Sequence, residues 1–196
     1  MFMTHYRKQI TAFIKLFEQE IYPSLSATPE DVKKFRVSII EEEEKELYAA
    51  TNRIDKLDAY VDLIYVIVGA AVVCRIGDPV GENKTDLNAP ISWLIDELLV
   101  PVPCDKRLAQ YVADCVATIE SLARSERMNL LGAFDAVHEN NMAKMWTDEQ
   151  LEYEGTQESD KLTIKRKGNL WLVKSTAGKV IKPPNHPKPN LTPFII

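Results

Sequence analysis

Glycine is scarce in this 196-residue chain, with seven in all and none before Gly69, and the first 76 residues hold only two prolines, Pro23 and Pro29. So few breakers exclude a front half built of short strands and tight turns, and they leave room for long helices. Cysteine is also rare. Cys74, Cys104 and Cys115 make an odd count without CxxC spacing, which excludes a disulfide framework and a cysteine zinc site. Long apolar runs are missing too: the longest, Leu63 to Cys74, has 12 residues. Roughly 20 are needed to cross a bilayer, so the run reads as a buried core helix and no membrane partner is expected. The opening MFMTHYRKQITAF has no apolar signal-peptide core, which makes the cytoplasm the expected location. Finally, acid is missing from one end. All 29 Asp and Glu precede residue 161, against 16 Lys and Arg, a net of −13, while residues 161–196 carry 8 Lys and Arg and no acid. An acidic body argues against a nucleic-acid partner, which needs a basic face across the fold, and favours divalent cations.

What is present is helical periodicity. From about Thr4 to Glu20, Tyr6, Ile10, Phe13, Ile14, Phe17 and Ile21 recur at spacings of three and four. Thr28 followed by Pro29, Glu30 and Asp31 predicts an N-cap and a second helix to about Ala50. A third is predicted from about Asp55 to Ile76, apolar all round in its second half and closed by Gly77-Asp78-Pro79. A polar loop (78–90), a short helix (Ile91 to Leu99), a break at PVPC, and helices from about Asp105 to Arg124 and Leu130 to Met145 follow. After Trp146 the character changes. Alternating apolar residues on both sides of Gly168-Asn169 predict a β-hairpin, and five prolines after Lys182 predict an extended arm. The expected fold class is all-α, a helical bundle with a small C-terminal hairpin and a proline-rich arm. Residues 1–146 are expected to form the helical domain, with 78–129 as inserted loop and helices, and 147–196 a basic hairpin and extended arm packed on the same unit, since a single hairpin is marginal alone.

Chemistry concentrates in two acidic stripes. Glu42 and Glu46 are four apart and Glu43 and Glu46 three apart on the second helix; Asp55, Asp58 and Asp62 share one face of the third. Both stripes border apolar residues. Packed antiparallel, the helices oppose four to six carboxylates, a repulsion that bound cations offset, and such hard oxygen donors select Mg²⁺ or Mn²⁺. A run of glutamates is otherwise a solvated helix face. A di-iron centre would need Glu-x-x-His pairs, and His5, His138 and His186 supply none.

The segment Glu42-Glu43-Glu44-Lys45-Glu46-Leu47, followed by acids in ExxD spacing and the apolar DLIYVIVG run, resembles the all-α nucleoside triphosphate pyrophosphohydrolases, a superfamily that includes MazG-like proteins, dimeric dUTPases and phosphoribosyl-ATP pyrophosphohydrolases. Asp55 stands where the family usually has glutamate. Phe134 to Lys144 is similar to the VHxxNMxK element of MazG-like enzymes, including many from phages, and Gly178 to Pro184 to their GKVxKPP tail. The resemblance covers about 30–76 and 130–193. It implies a Mg²⁺-dependent hydrolase converting a (d)NTP to (d)NMP and PPi, acting in nucleotide-pool control or sanitation, in the host cytoplasm if phage-encoded. The implied metal ligands are Glu43, Glu46, Asp55, Asp58 and Asp62, with Glu42 orienting or deprotonating the water.

Asn141 and Lys144, three apart, can reach one phosphate or line an exposed helix face, and Lys179 and Lys182 can neutralise the triphosphate or pair with another subunit's acids. His138 reads as structural, Arg36 as a brace for a carboxylate, and the tryptophans as packing, with Trp146 or Tyr65 able to stack on a base. A dimer or tetramer is expected, since the third helix is more apolar than a small bundle covers and the family builds active sites at subunit interfaces. Two rivals remain: a dUTPase-like enzyme of narrower specificity, and a non-catalytic helical oligomeric module that keeps the metal site.

Overall fold

The computed structural model describes residues 2–77, 87–100, 103–154 and 162–196. Within them the chain runs α1 (Met3–Leu16), a 3₁₀ turn (Leu25–Ala27), α2 (Glu30–Ala49), α3 (Arg53–Val73), α4 (Asn88–Leu99), α5 (Asp105–Ser125), α6 (Leu130–Met142), α7 (Asp148–Glu154), β1 (Leu162–Lys167), β2 (Leu170–Ser175) and a last 3₁₀ turn (Thr192–Phe194). An all-helical body with a C-terminal hairpin is therefore what the chain forms. The loop expected at 78–90 lies mostly outside the described residues, and α7 was not expected.

α3 is the axis. It packs against α1, α2, α5 and α6, and from Leu63 to Cys74 every residue but Val66 is buried. These four helices supply that cover from within the same chain, with α4 packed in turn on α5 and α2. The apolar girth of α3 thus provides no argument for a partner subunit, contrary to the sequence-based expectation.

The ends of α1 and α3 differ from the predicted ones for one reason, which α5 shares although its end falls within a residue of the prediction. α1, α3 and α5 each close in a Schellman motif: Gln19 N–H donates to Ile14 C=O (2.9 Å), Ile76 to Ala71 (2.8 Å) and Met128 to Ala123 (2.9 Å). The left-handed residue is Glu18, Arg75 or Arg127, with φ of 48°, 54° and 54°. No glycine marks these stops, so α1 ends four residues before Glu20 and α3 ends before Gly77 is reached. Ile21, predicted on the apolar face of α1, is exposed. At the start of α2 the cap position falls on Pro29, and the Thr28 hydroxyl donates instead to the Ser24 carbonyl (3.0 Å). α3 has a true side-chain cap, with Asn52 Oδ1 accepting from the Ile54 and Asp55 amides (3.0 Å each).

Strands β1 and β2 pair antiparallel across Gly168-Asn169, with Gly168 at φ +63° as the first central residue of a II′-type turn. The hairpin is anchored: Lys165 pairs with Glu18 (2.5 Å), Lys167 Nζ donates to the Leu16 carbonyl (2.7 Å), and Trp146 and Trp171 exchange backbone hydrogen bonds (2.9 and 2.8 Å). Beyond it the proline-rich segment crosses the body. It ends where Asn129 N–H donates to Phe194 C=O (2.8 Å) and the Phe194 ring lies over Gly132. The arm predicted as extended is docked along its own chain.

Candidate active site

α2 and α3 pack closely, and their acidic stripes meet beside α6 and the C-terminal segment. Two cavities lie side by side there. One, of about 280 Å³, is lined by Glu46, Asp58, Asp62, Asn141, Lys144, Lys182 and Lys188 among others. The other, of about 180 Å³, is lined by Phe13, Phe35, Ile39, Tyr65, Glu43 and Lys179, and it shares Asp62, Asn141 and Lys144 with the first. These three side chains form the wall between a charged chamber and an aromatic one.

Burial and like charge shape the acids. Desolvation, then the Asp62, Glu46 and Glu42 charges, push the Glu43 carboxyl up to about 8, and its Oε2 is buried without a hydrogen-bond partner. Asp62 is pushed up to about 7 by desolvation and the Asp58 charge, with Lys144 opposing. Asp58 is also raised, first by burial, while Lys188 pulls it the other way. Lys144 is lowered by its own burial against the pull of Asp62. Glu42 is exposed and gripped by Lys179, whose Nζ donates to both carboxylate oxygens (2.9 and 2.8 Å).

Of the sequence-derived candidates, Glu43, Glu46, Asp58, Asp62, Asn141, Lys144, Lys179 and Lys182 all line these two cavities, and Glu42 sits at their edge through Lys179. Asp55 stands apart. It is exposed at the first turn of α3 and accepts from Asn52 Nδ2 (2.6 Å), so its carboxylate serves the helix cap. Asn141 and Lys144 stay together although α6 ends at Met142, because the Lys144 amide donates back to the Asn141 carbonyl (3.2 Å). His138 is structural here, its Nδ1 3.0 Å from the Tyr65 hydroxyl and its pKa lowered by burial. Trp146 is buried and donates to the Ile181 carbonyl (2.8 Å), away from both cavities. Arg36 braces no carboxylate; its Nη2 donates to Gln19 Oε1 (2.8 Å).

Several site residues went unread in the sequence. Lys188 reaches the acids because Asn140 Nδ2 donates to the Pro187 carbonyl (2.7 Å) and His186 Nε2 lies 3.1 Å from the Asn140 carbonyl. The only signal was polar residues alternating with prolines, a strip too stiff to fold on itself. Phe13 reads in the sequence as one more residue of an apolar helix face, and Phe35 carries no signal of its own.

Hard oxygen donors, one of them orphaned, and carboxylates that raise one another's pKa fit a divalent cation in kind. Among the described residues, however, no three acidic, histidine or cysteine side chains stand together in ligand geometry.

The two central helices of the helical body thus bring carboxylates against lysines and an amide. Residues 10–80 match the family model described as phosphoribosyl-ATP pyrophosphohydrolase. That segment, from within α1 to just past α3, carries the likeness to a phosphoribosyl-ATP pyrophosphohydrolase domain, a hydrolase of acid anhydrides in the all-α nucleoside triphosphate pyrophosphohydrolase (MazG-like) superfamily, whose members generally use divalent metals. No curated protein sequence matches the chain, and no solved structure does. Among the described residues no helix is long and apolar enough to cross a membrane.

Proposed function

We propose that the protein is a Mg²⁺-dependent nucleoside triphosphate pyrophosphohydrolase, cleaving a (d)NTP to (d)NMP and PPi. The observation that carries this reading is the shared wall of Asp62, Asn141 and Lys144 between a charged chamber and an aromatic chamber, which suits a ligand that is phosphate at one end and a flat ring at the other. Glu43, Glu46, Asp58 and Asp62 would hold the metal, with Asp55 left to its cap. A bound cation supplies neutralisation of phosphate charge and acidification of water. Lys144, Lys182 and Lys188 present ammonium groups to the phosphates, and Asn141, only 7% exposed, presents its amide to the same oxygens. Glu42 orients the attacking water and accepts its proton, and Lys179 fixes its carboxylate in place. Tyr65, Phe13 and Phe35 cover the base.

The named family's own substrate does not carry over, because the match stops at residue 80, before the segments that supply Asn141, Lys144 and the basic tail. Assembly into a homodimer or tetramer in the cytoplasm belongs to the same reading; its support is the resemblance together with exposed Trp93 and Leu99 on α4. Light scattering showing a monomer at micromolar concentration would remove that part alone. The test of the activity is PPi release from a panel of nucleoside triphosphates with Mg²⁺, Mn²⁺ or a chelator. Release by the native chain in Mg²⁺, its loss with chelator and its loss in Glu43→Gln are expected; a chain that hydrolyses none of the panel refutes it.

A further inference from the structure

Beyond the aromatic chamber, toward the N-terminus of α2, lies a third cavity of about 250 Å³ whose wall includes Arg36. Its other walls include Phe35, Gln19 and Gly178, all three of which also line the aromatic chamber, so the two cavities adjoin. Arg36 is seven residues before Glu43. Two helical turns return to nearly the same face, roughly 10 Å along the axis, so Arg36 and Glu43 share one stripe at about a nucleoside's length.

This guanidinium is only 8% exposed, and its Nε has no hydrogen-bond partner. Among the described residues its one side-chain hydrogen bond goes to Gln19, and no carboxylate pairs with it. Burial lowers its pKa to about 10, so it remains charged at neutral pH. Its carbon face lies over the Phe35 ring, 5.6 Å from the centroid, which leaves the in-plane donors to be used. A buried cation without a counter-charge is costly to keep, and a protein that keeps one has a use for its donors. Because Gln19 Oε1 is already taken by Arg36, what Gln19 offers is its Nε2–H₂. The pair therefore presents donors and no free acceptor. On the same cavity Glu18 is already held by Lys165 (2.5 Å) and Glu20 already accepts from the Tyr22 hydroxyl (3.1 Å), and Lys174 with Arg36 balances their charge, which leaves a neutral acceptor edge as the fitting ligand.

We infer that Arg36 and Gln19 read the edge of the nucleobase and select bases that present oxygen acceptors, O6 with N7 of guanine or O4 of uracil and thymine, over those that present an amino group, adenine and cytosine. The inference rests on the proposed nucleotide site and deepens it. A site built of buried donors discriminates because the amino-bearing base leaves them unpaired and sets donor against donor.

The test is titration calorimetry of dGMP, dAMP, dUMP and dCMP into the full chain without metal, for the native protein, Arg36→Met and Gln19→Glu, with melting curves alongside. The native protein should favour dGMP over dAMP, and dUMP over dCMP, by about tenfold. Arg36→Met should bring both ratios close to one without lowering the melting temperature, since an apolar side chain of similar length replaces an unpaired charge. Gln19→Glu turns a donor into an acceptor and should shift both ratios toward the amino-bearing bases. If Arg36→Met does not fold, Gln19→Glu decides alone. Equal binding of all four by the native chain, no binding of any, or ratios unmoved by the variants overturns the inference; so does a uniform weakening by Arg36→Met, which would mark a phosphate contact. Base-selective binding without PPi release would leave this inference standing and refute only the catalytic reading.

Discussion

Glu43 is mostly protonated and Asp62 about half protonated at neutral pH in the metal-free chain, and this makes its stability depend on pH in an unusual direction. In the unfolded chain their carboxyls titrate near 4.5 and 3.8; in the folded chain, near 8 and 7. The folded state therefore binds more protons between those values, so their stabilising contribution is full below about pH 4 and is lost as pH rises through 7 to 8. The melting temperature of the metal-free protein should fall between pH 5 and pH 9, and Glu43→Gln should flatten much of that fall. A fall as steep in the variant would mean that Glu43 is not its source. Millimolar Mg²⁺ at pH 8 should raise the melting temperature of the native chain and do little for Glu43→Gln, because a ligand of the folded state alone stabilises it. Lys144 belongs to the same scale. Its replacement by methionine should lower kcat/KM for PPi release by about a hundredfold, the usual loss of one charge-stabilising donor.

Among the elements, helix termini show where the sequence misled and why. Periodicity located each of the helices α1 to α6, since apolar spacing follows from which face is buried. It overshot the ends of α1 and α3 because the stop signal normally sought is glycine, and there Glu18 and Arg75 take the left-handed position, while α5, closed by Arg127, ends within a residue of the prediction. At such a site a Cβ costs about 1 kcal/mol relative to glycine. Arg75 is exposed, so Arg75→Gly should stabilise the protein by about 1 kcal/mol, seen as a higher urea midpoint with unchanged slope. Gly132 is the converse case. A Cβ there would stand 2.8 Å from the Phe194 ring and 2.7 Å from Asn129 Nδ2. Gly132→Ala should destabilise by about 1–3 kcal/mol, and an unchanged midpoint would show that the terminal turn is not seated on α6. Site residues divide similarly. Carboxylates at helical spacing beside an apolar run could be read because one helix fixes their relative placement. Arg36 and Lys188 could not, since each meets its neighbours through contacts between segments distant in sequence.

For the molecule as a whole, the arrangement of charge is the organising fact. The acidic stripes of α2 and α3 lie against a basic segment from the far end of the same chain, and Lys179, Lys182 and Lys188 each reach an acidic residue or its cavity. Removing residues 177–196 should accordingly abolish activity and also lower the melting temperature, because buried Leu191 and the Phe194 contact leave with the lysines. A truncated chain that melts like the native one would show that the docked tail adds nothing to the fold.

The order of synthesis gives that arrangement a temporal meaning. The ribosome delivers the acidic helices before the basic strip, so a nascent chain that has already formed α1 to α6 has little beyond Lys144 to oppose its carboxylates until residues 161–196 emerge. Such an intermediate would be strongly anionic, receptive to free cations and inert toward nucleotides. Competence would arrive in a single late event, when the trailing strip folds back across the body.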